Sequence, residues 1–182
     1  MVRSAKGLLI MDANVLIDLV EADSTVIRLI SEHVGQVHVP VPVLREEVEQ
    51  IDASDYAELG IVPVEPSLET ASDAAIRRSG LSFHDHLCLL LARDNGWTCV
   101  TNDGRLRREC AAEKVPVLWG LETVALLVDD GVLTASAAEE NARAIQRGNP
   151  RFITDTVVAD FIERVTSGPA KKAQRKKRGS RR

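Results

Sequence analysis

The chain has 182 residues, 45% hydrophobic and 27% charged, which suits one domain with a packed core; aromatics are only 3%, so Val, Leu, Ile and Ala must fill it. The net charge of −4 averages two unlike parts: "KKAQRKKRGSRR" (171–182) holds eight Lys or Arg and no acid, leaving 15 basic against 27 acidic residues, or −12, over 1–170. No apolar run approaches bilayer-spanning length, "GLLI" is cut short by Asp12 before it could form a signal peptide, and three cysteines at wide spacings fit reduced thiols rather than a disulfide framework, so a cytoplasmic protein with no membrane partner is expected.

The apolar run "GLLIM" (7–11) reads as a buried strand, and a helical pattern follows over 14–21. Ser24 stands where it would cap a second helix through "TVIRLISEHV". "QVHVP" is a short strand bounded by Pro40, and "PVLREEVEQI" a helix with Pro42 in its first turn. "GIVPVEP" is a strand weakened by Pro63, and "SLETASDAAIRRS" a helix ended by Gly80. "SFHDHLCLLLARDN" is the strongest helix, with Gly96 after it. "WTCVT" (strand), "GRLRRECAAEK" (helix) and "VPVLW" (strand) complete an alternation that predicts a mostly parallel sheet covered on both faces. From Gly120 the pattern changes to three helical segments in a row, "LETVALLVDDG", "TASAAEENARAIQRG" and "TDTVVADFIERV". The expected organisation is a core over 1–120, a helical extension of the same domain over 121–168, and a basic disordered tail over 169–182.

In a parallel sheet, ligands gather at the carboxyl ends of strands. Asp12 ends the first strand, and "TND" (101–103) places Asp103 at the same edge. Asp85 lies in the first turn of its helix and shares a face with Cys88, Leu89 and Ala92, so it should look inward. A fourth acid comes from "LREEVEQI", where helical phase brings Glu47 nearer the stripe of Leu44, Val48 and Ile51 than Glu46. Each acid also has a plain structural reading. Asp12, Asn14 or Asp103 could cap the helix that follows, and Ser82-x-x-Asp85 has capping-box spacing. Taken together they predict a cluster. Two carboxylates about 4 Å apart repel by roughly 4 kcal/mol at an effective dielectric of 20, so a cluster holds a proton or a cation. Oxygen-only ligands suit Mg²⁺ or Mn²⁺, which clamp phosphate oxygens and orient water. His84 and His86 flank Asp85, but i and i+2 on a helix face apart, and both are assigned surface or packing roles.

"LLIMDANVLIDL", "VHVPVPVLREE" and "LSFHDHLCLLLARDNGWTCVTNDGRL" together resemble the four acidic motifs of the PIN-domain ribonuclease family, VapC-type toxins included. The resemblance covers residues 7 to about 120. It implies a PIN-like three-layer α/β/α fold and metal-dependent endonucleolytic cleavage of single-stranded RNA. Asp12, Asp85 and Asp103 match the first, third and fourth acids, with Asn14, Thr101 and Asn102 as supporting polar groups. Counting six residues from Pro40 makes Glu46 the second acid, against Glu47 by helical phase. The cofactor implied is Mg²⁺ or Mn²⁺. The partners implied are RNA, a cognate antitoxin of a type II toxin–antitoxin pair, and a second copy of the chain as a homodimer. The competing reading is a non-catalytic PIN-like module that binds RNA or protein. A haloacid-dehalogenase-like phosphatase is disfavoured, because its D-x-D motif is here "DAN".

Overall fold

β1 (Gly7–Met11) is the middle strand of a five-stranded sheet in the computed structural model, which describes residues 7–76 and 80–167. Its neighbours are β2 (Gly35–Pro40) and β4 (Thr98–Val100), with β3 (Ile61–Val64) and β5 (Val117–Leu118) at the two edges. All four pairings are parallel, and the order is β3-β2-β1-β4-β5. The α/β/α architecture read from the alternating pattern is therefore the one the chain adopts. The expected tail over 169–182 lies outside the described residues.

Edge placement explains Pro63. A proline cannot donate to a ladder, and β3 has a partner on one side only. Gly35 answers a different constraint. A Cβ there would lie 2.4 Å from the Gly7 carbonyl oxygen, so only glycine lets β1 and β2 approach at this register.

The first crossover is helical throughout: α1 (Ala13–Asp23), α2 (Thr25–Leu29), then a π-helical turn (Ile30–Val34). The expected Ser24 cap is not made. Ser24 has helical backbone angles and no capping bond, and Asp23 Oδ1 instead accepts from the Thr25 amide at 3.0 Å. The helix expected through "PVLREEVEQI" is also shorter. α3 (Val41–Glu46) stops before Glu47, whose φ of −120° has left the helix. A four-residue helix, α4 (Tyr56–Leu59), went unread in the sequence; it precedes β3 and closes on Gly60 in the left-handed conformation.

α5 (Leu68–Ala75) and α6 (Phe83–Asn95) carry the chain back across the sheet to β4. α6 packs over β1, β2 and β4 and touches α5 and α7 (Gly104–Ala112). Its Leu87, Cys88, Leu89, Leu90, Leu91 and Ala92 are all buried. The last helices are α8 (Gly120–Asp129), α9 (Ala135–Gly148) and α10 (Asp155–Thr166). α9 packs on α1, α8 on the π-helical turn, and α10 on both α8 and α9. Ala138, Ala142, Ile145, Val158, Phe161 and Val165 join the same buried cluster as Ile10, Val37 and Val100. Asp18 of α1 is tied to Asn149, just past α9, by bonds of 3.1 and 3.2 Å. Cys88, Cys99 and Cys110 are free and buried. No helix among the described residues is long and apolar enough to cross a membrane.

Candidate active site

Strand order fixes where a site can form. From β1 the chain moves outward through β2 and β3, then returns to place β4 on the other side of β1. The crevice beyond the carboxyl ends of β1 and β4 is the switch point, where open α/β sheets bind ligands. Asp12 follows β1 directly and Thr101 follows β4.

Asp12 is 2% exposed. Its Oδ1 accepts from the Val15 amide at 2.9 Å, which caps α1, and its Oδ2 accepts from the Thr101 hydroxyl. Burial dominates its electrostatics and raises its pKa from 3.8 to about 7. The bonds from Thr101 and Val15 oppose that rise, and the negative charges of Asp85 and Asp103 add to it. Asp12 thus has a capping role and also feels two of the other predicted acids.

Asp103 caps α7, with Oδ1 accepting from the amides of Arg105 (2.8 Å) and Leu106 (2.7 Å). Its own amide donates to the Thr101 hydroxyl at 3.0 Å, so one buried threonine links Asp12 to Asp103. The Asn102 side chain reaches both Asp18 of α1 and the start of α8. Its Oδ1 accepts from the Gly120 amide at 3.0 Å and pins the start of α8. Asn14 is exposed on the first turn of α1.

Ser82 is the N-cap of α6. Its hydroxyl accepts from the Asp85 amide at 3.0 Å and donates to Asp85 Oδ2 at 2.8 Å. The structural and chemical readings of Asp85 therefore coexist. Asp85 and Asp103 line one cleft of about 580 Å³ with Gly80, Leu81, Ser82, Arg105 and Arg108.

The two candidate second acids lie on either side of His84. Its Nε2 is 3.0 Å from Glu46 Oε2 and its Nδ1 is 3.1 Å from Glu47 Oε1. Both bonds form when the ring is doubly protonated and donates twice, or when one carboxyl carries a proton and donates it to a ring nitrogen that accepts. The Glu46 side chain is 60% exposed and that of Glu47 36%. Burial raises the Glu47 pKa, His84 opposes, and the charge of Asp85 adds to the rise. Glu47 thus feels the charge of one of the predicted acids, Asp85. The buried Cys88 thiol lies beneath the group: burial pushes its pKa up, and Asp12, Asp85 and Glu47 all add to that. His86 faces the other way and is buried against the Ala74 carbonyl at 3.2 Å.

Sequence reading missed four contributors. His84 couples α6 to the end of α3. Arg105 and Arg108 bring positive charge to the acidic cleft; Arg105 donates to the Gly80 carbonyl at 2.6 Å, and Arg108 has no ion-pair or hydrogen-bond partner among the described residues. Arg107 lies flat over Trp119, 3.4 Å from the ring centroid. The sequence signal was "GRLRREC", three arginines in one turn directly after the fourth acid.

The donor set is entirely oxygen, as a hard divalent ion requires. Among the described residues no three acids, histidines or cysteines are close enough to enclose an ion as they stand. Asp85 Oδ1 and Asp103 Oδ2 nonetheless form no hydrogen bonds with the described residues, and Asp12 is a buried carboxyl whose ionised form has no cation acting on it among the described residues. The oxygen-only chemistry of these side chains is the kind that suits Mg²⁺ or Mn²⁺. Compared with known protein families, characterised proteins and solved structures, the chain matches none.

Proposed function

We propose that the protein is a Mg²⁺- or Mn²⁺-dependent endoribonuclease acting on single-stranded RNA. The observation that carries this reading is Asp12: a carboxyl at the switch point whose pKa is raised chiefly by burial, with the charges of Asp85 and Asp103 from two other elements adding to the rise. Asp12, Asp85 and Asp103 would hold the ion, with Glu47 rather than Glu46 as the fourth acid. A bound divalent ion supplies charge to steady phosphate oxygens and to activate water. Thr101 holds Asp12 in place, and His84 restrains Glu47. Arg105 and Arg108 offer guanidinium donors to the non-bridging oxygens of a phosphodiester entering the cleft. Under the same reading, a cognate antitoxin and a second copy of the chain are the partners to seek.

The non-catalytic binding module has one observation in its favour. Each of the three aspartates already forms a local structural bond, at Val15, Ser82 or Arg105 and Leu106. Incubation of the full chain with labelled single-stranded RNA separates the two. Cleavage is expected with Mg²⁺ or Mn²⁺, to be lost in EDTA, and to fall more than about 100-fold in Asp85→Asn. RNA bound but uncut under every metal condition would leave the binding module.

The same assay decides the fourth acid. Glu47→Gln is expected to slow cleavage more than about tenfold, and Glu46→Gln by less than about threefold. The opposite ranking would restore Glu46.

A further inference from the structure

Trp119 is the residue whose placement the acid cluster does not explain. It follows β5 directly, and in this register it stands beside Thr101: the Thr101 amide donates to the Leu118 carbonyl at 3.0 Å, and Val100 pairs with Leu118. An indole thus sits at the carboxyl edge of the sheet, one strand from the hydroxyl that holds Asp12. It is 43% exposed, although the core is short of aromatics. The Arg107 guanidinium covers one face of the ring at 3.4 Å, so the exposure belongs to the remainder of the indole. Arg107 Nε is buried without a hydrogen-bond partner. Its charge is disfavoured by burial and supported by Glu122. The backbone beneath is fixed as well, since Glu122 Oε2 accepts from the Trp119 amide at 3.4 Å and Asn102 holds Gly120.

We infer that Trp119, backed by Arg107, is a stacking platform for one nucleobase of the RNA strand, at the same sheet edge as Asp12 and Thr101. Every base has a π-face, so such a platform is sequence-tolerant, and a cation beneath the ring strengthens it. The platform requires an unpaired base, which gives the single-strand preference a physical origin in this chain. It rests on the ribonuclease reading for its substrate. Trp119 acts here as a positioning residue, remote from the bond that breaks.

The test uses a short single-stranded oligoribonucleotide, titrated into the full chain in EDTA so that nothing is cut. Quenching of tryptophan emission is expected in the parent and in Trp97→Phe, and its loss in Trp119→Phe. Trp119→Ala should weaken binding at least about fivefold, with Trp119→Phe intermediate. An oligomer abasic at every position should bind parent and Trp119→Ala equally. With metal present, KM should rise in Trp119→Ala while kcat stays within about twofold. Unchanged affinity and quenching in a Trp119→Ala variant with a parental melting curve would overturn the platform, whether or not RNA is cleaved. Loss of self-association in that variant, with RNA affinity intact, would likewise overturn it and make Trp119 an interface residue. If Trp119-dependent binding persists but the parent never cuts RNA, the platform stands and the nuclease reading falls.

Discussion

Asp12→Asn is expected to abolish cleavage and to make the metal-free protein more stable above neutral pH. The folded chain raises the Asp12 pKa from 3.8 to about 7, so the native state holds that proton more tightly than the unfolded state. The stability linked to this proton is fully present below about pH 4 and is lost as pH rises to about 7. Asparagine does not titrate, so its advantage should be absent at pH 4 and reach a plateau near pH 8. The shift corresponds to at most about 4 kcal/mol. Disturbing the Thr101 bond offsets about 1 kcal/mol of that. A net gain of about 2 kcal/mol, or roughly 5 °C, is the expected size. Melting curves in EDTA from pH 4 to 8 measure it. Parallel pH profiles for parent and variant would show that Asp12 carries no buried charge. Saturating Mg²⁺ or Mn²⁺ should reverse the ranking, because only the parent has the carboxylate to bind it.

Phe161→Ala is expected to destabilise the fold more than any substitution at the acid cluster. Phe161 is buried on α10, in the cluster that continues through α8 and α9 to the sheet. Truncating a buried phenylalanine costs about 3–5 kcal/mol through lost transfer energy and the cavity left behind. A single transition lowered by about 10 °C is expected in calorimetry. A separate early transition, with the main one unmoved, would instead make α8–α10 an independent unit. The consequence for the site runs through α1, which α9 supports and Asp12 caps.

The parts legible in the sequence were those decided locally. Asp12 and Asp103 were readable because an N-cap sits at a strand-to-helix boundary, where periodicity changes, and Ser82 because Ser-x-x-Asp marks a helix start. The same boundary is why these acids gather at one sheet edge. Glu46 against Glu47 was not decidable that way. Helical phase favoured Glu47 for packing along a helix that in fact stops at Glu46, and the effect of Asp85 on Glu47 is a property of the folded chain. The His84 bridge and the Arg107–Trp119 stack depend on elements that meet only in the folded chain, and spacing carries no record of them. The π-helical turn and α4 are too short for a period to register.

The order of strands also governs when the site comes into being. Synthesis delivers β1, β2 and β3 first, and these pair in sequence on one side of β1. The other side of β1 stays open until β4 arrives, and Asp12 waits for a hydroxyl 89 positions further along the chain. Parallel pairing across such a separation is slow to form. A nascent chain therefore displays Asp12 with neither Thr101 nor Asp103 beside it. If the chain cuts RNA as proposed, residues 1–97 are inert while they are still attached to the ribosome, and activity appears only when the fourth strand docks.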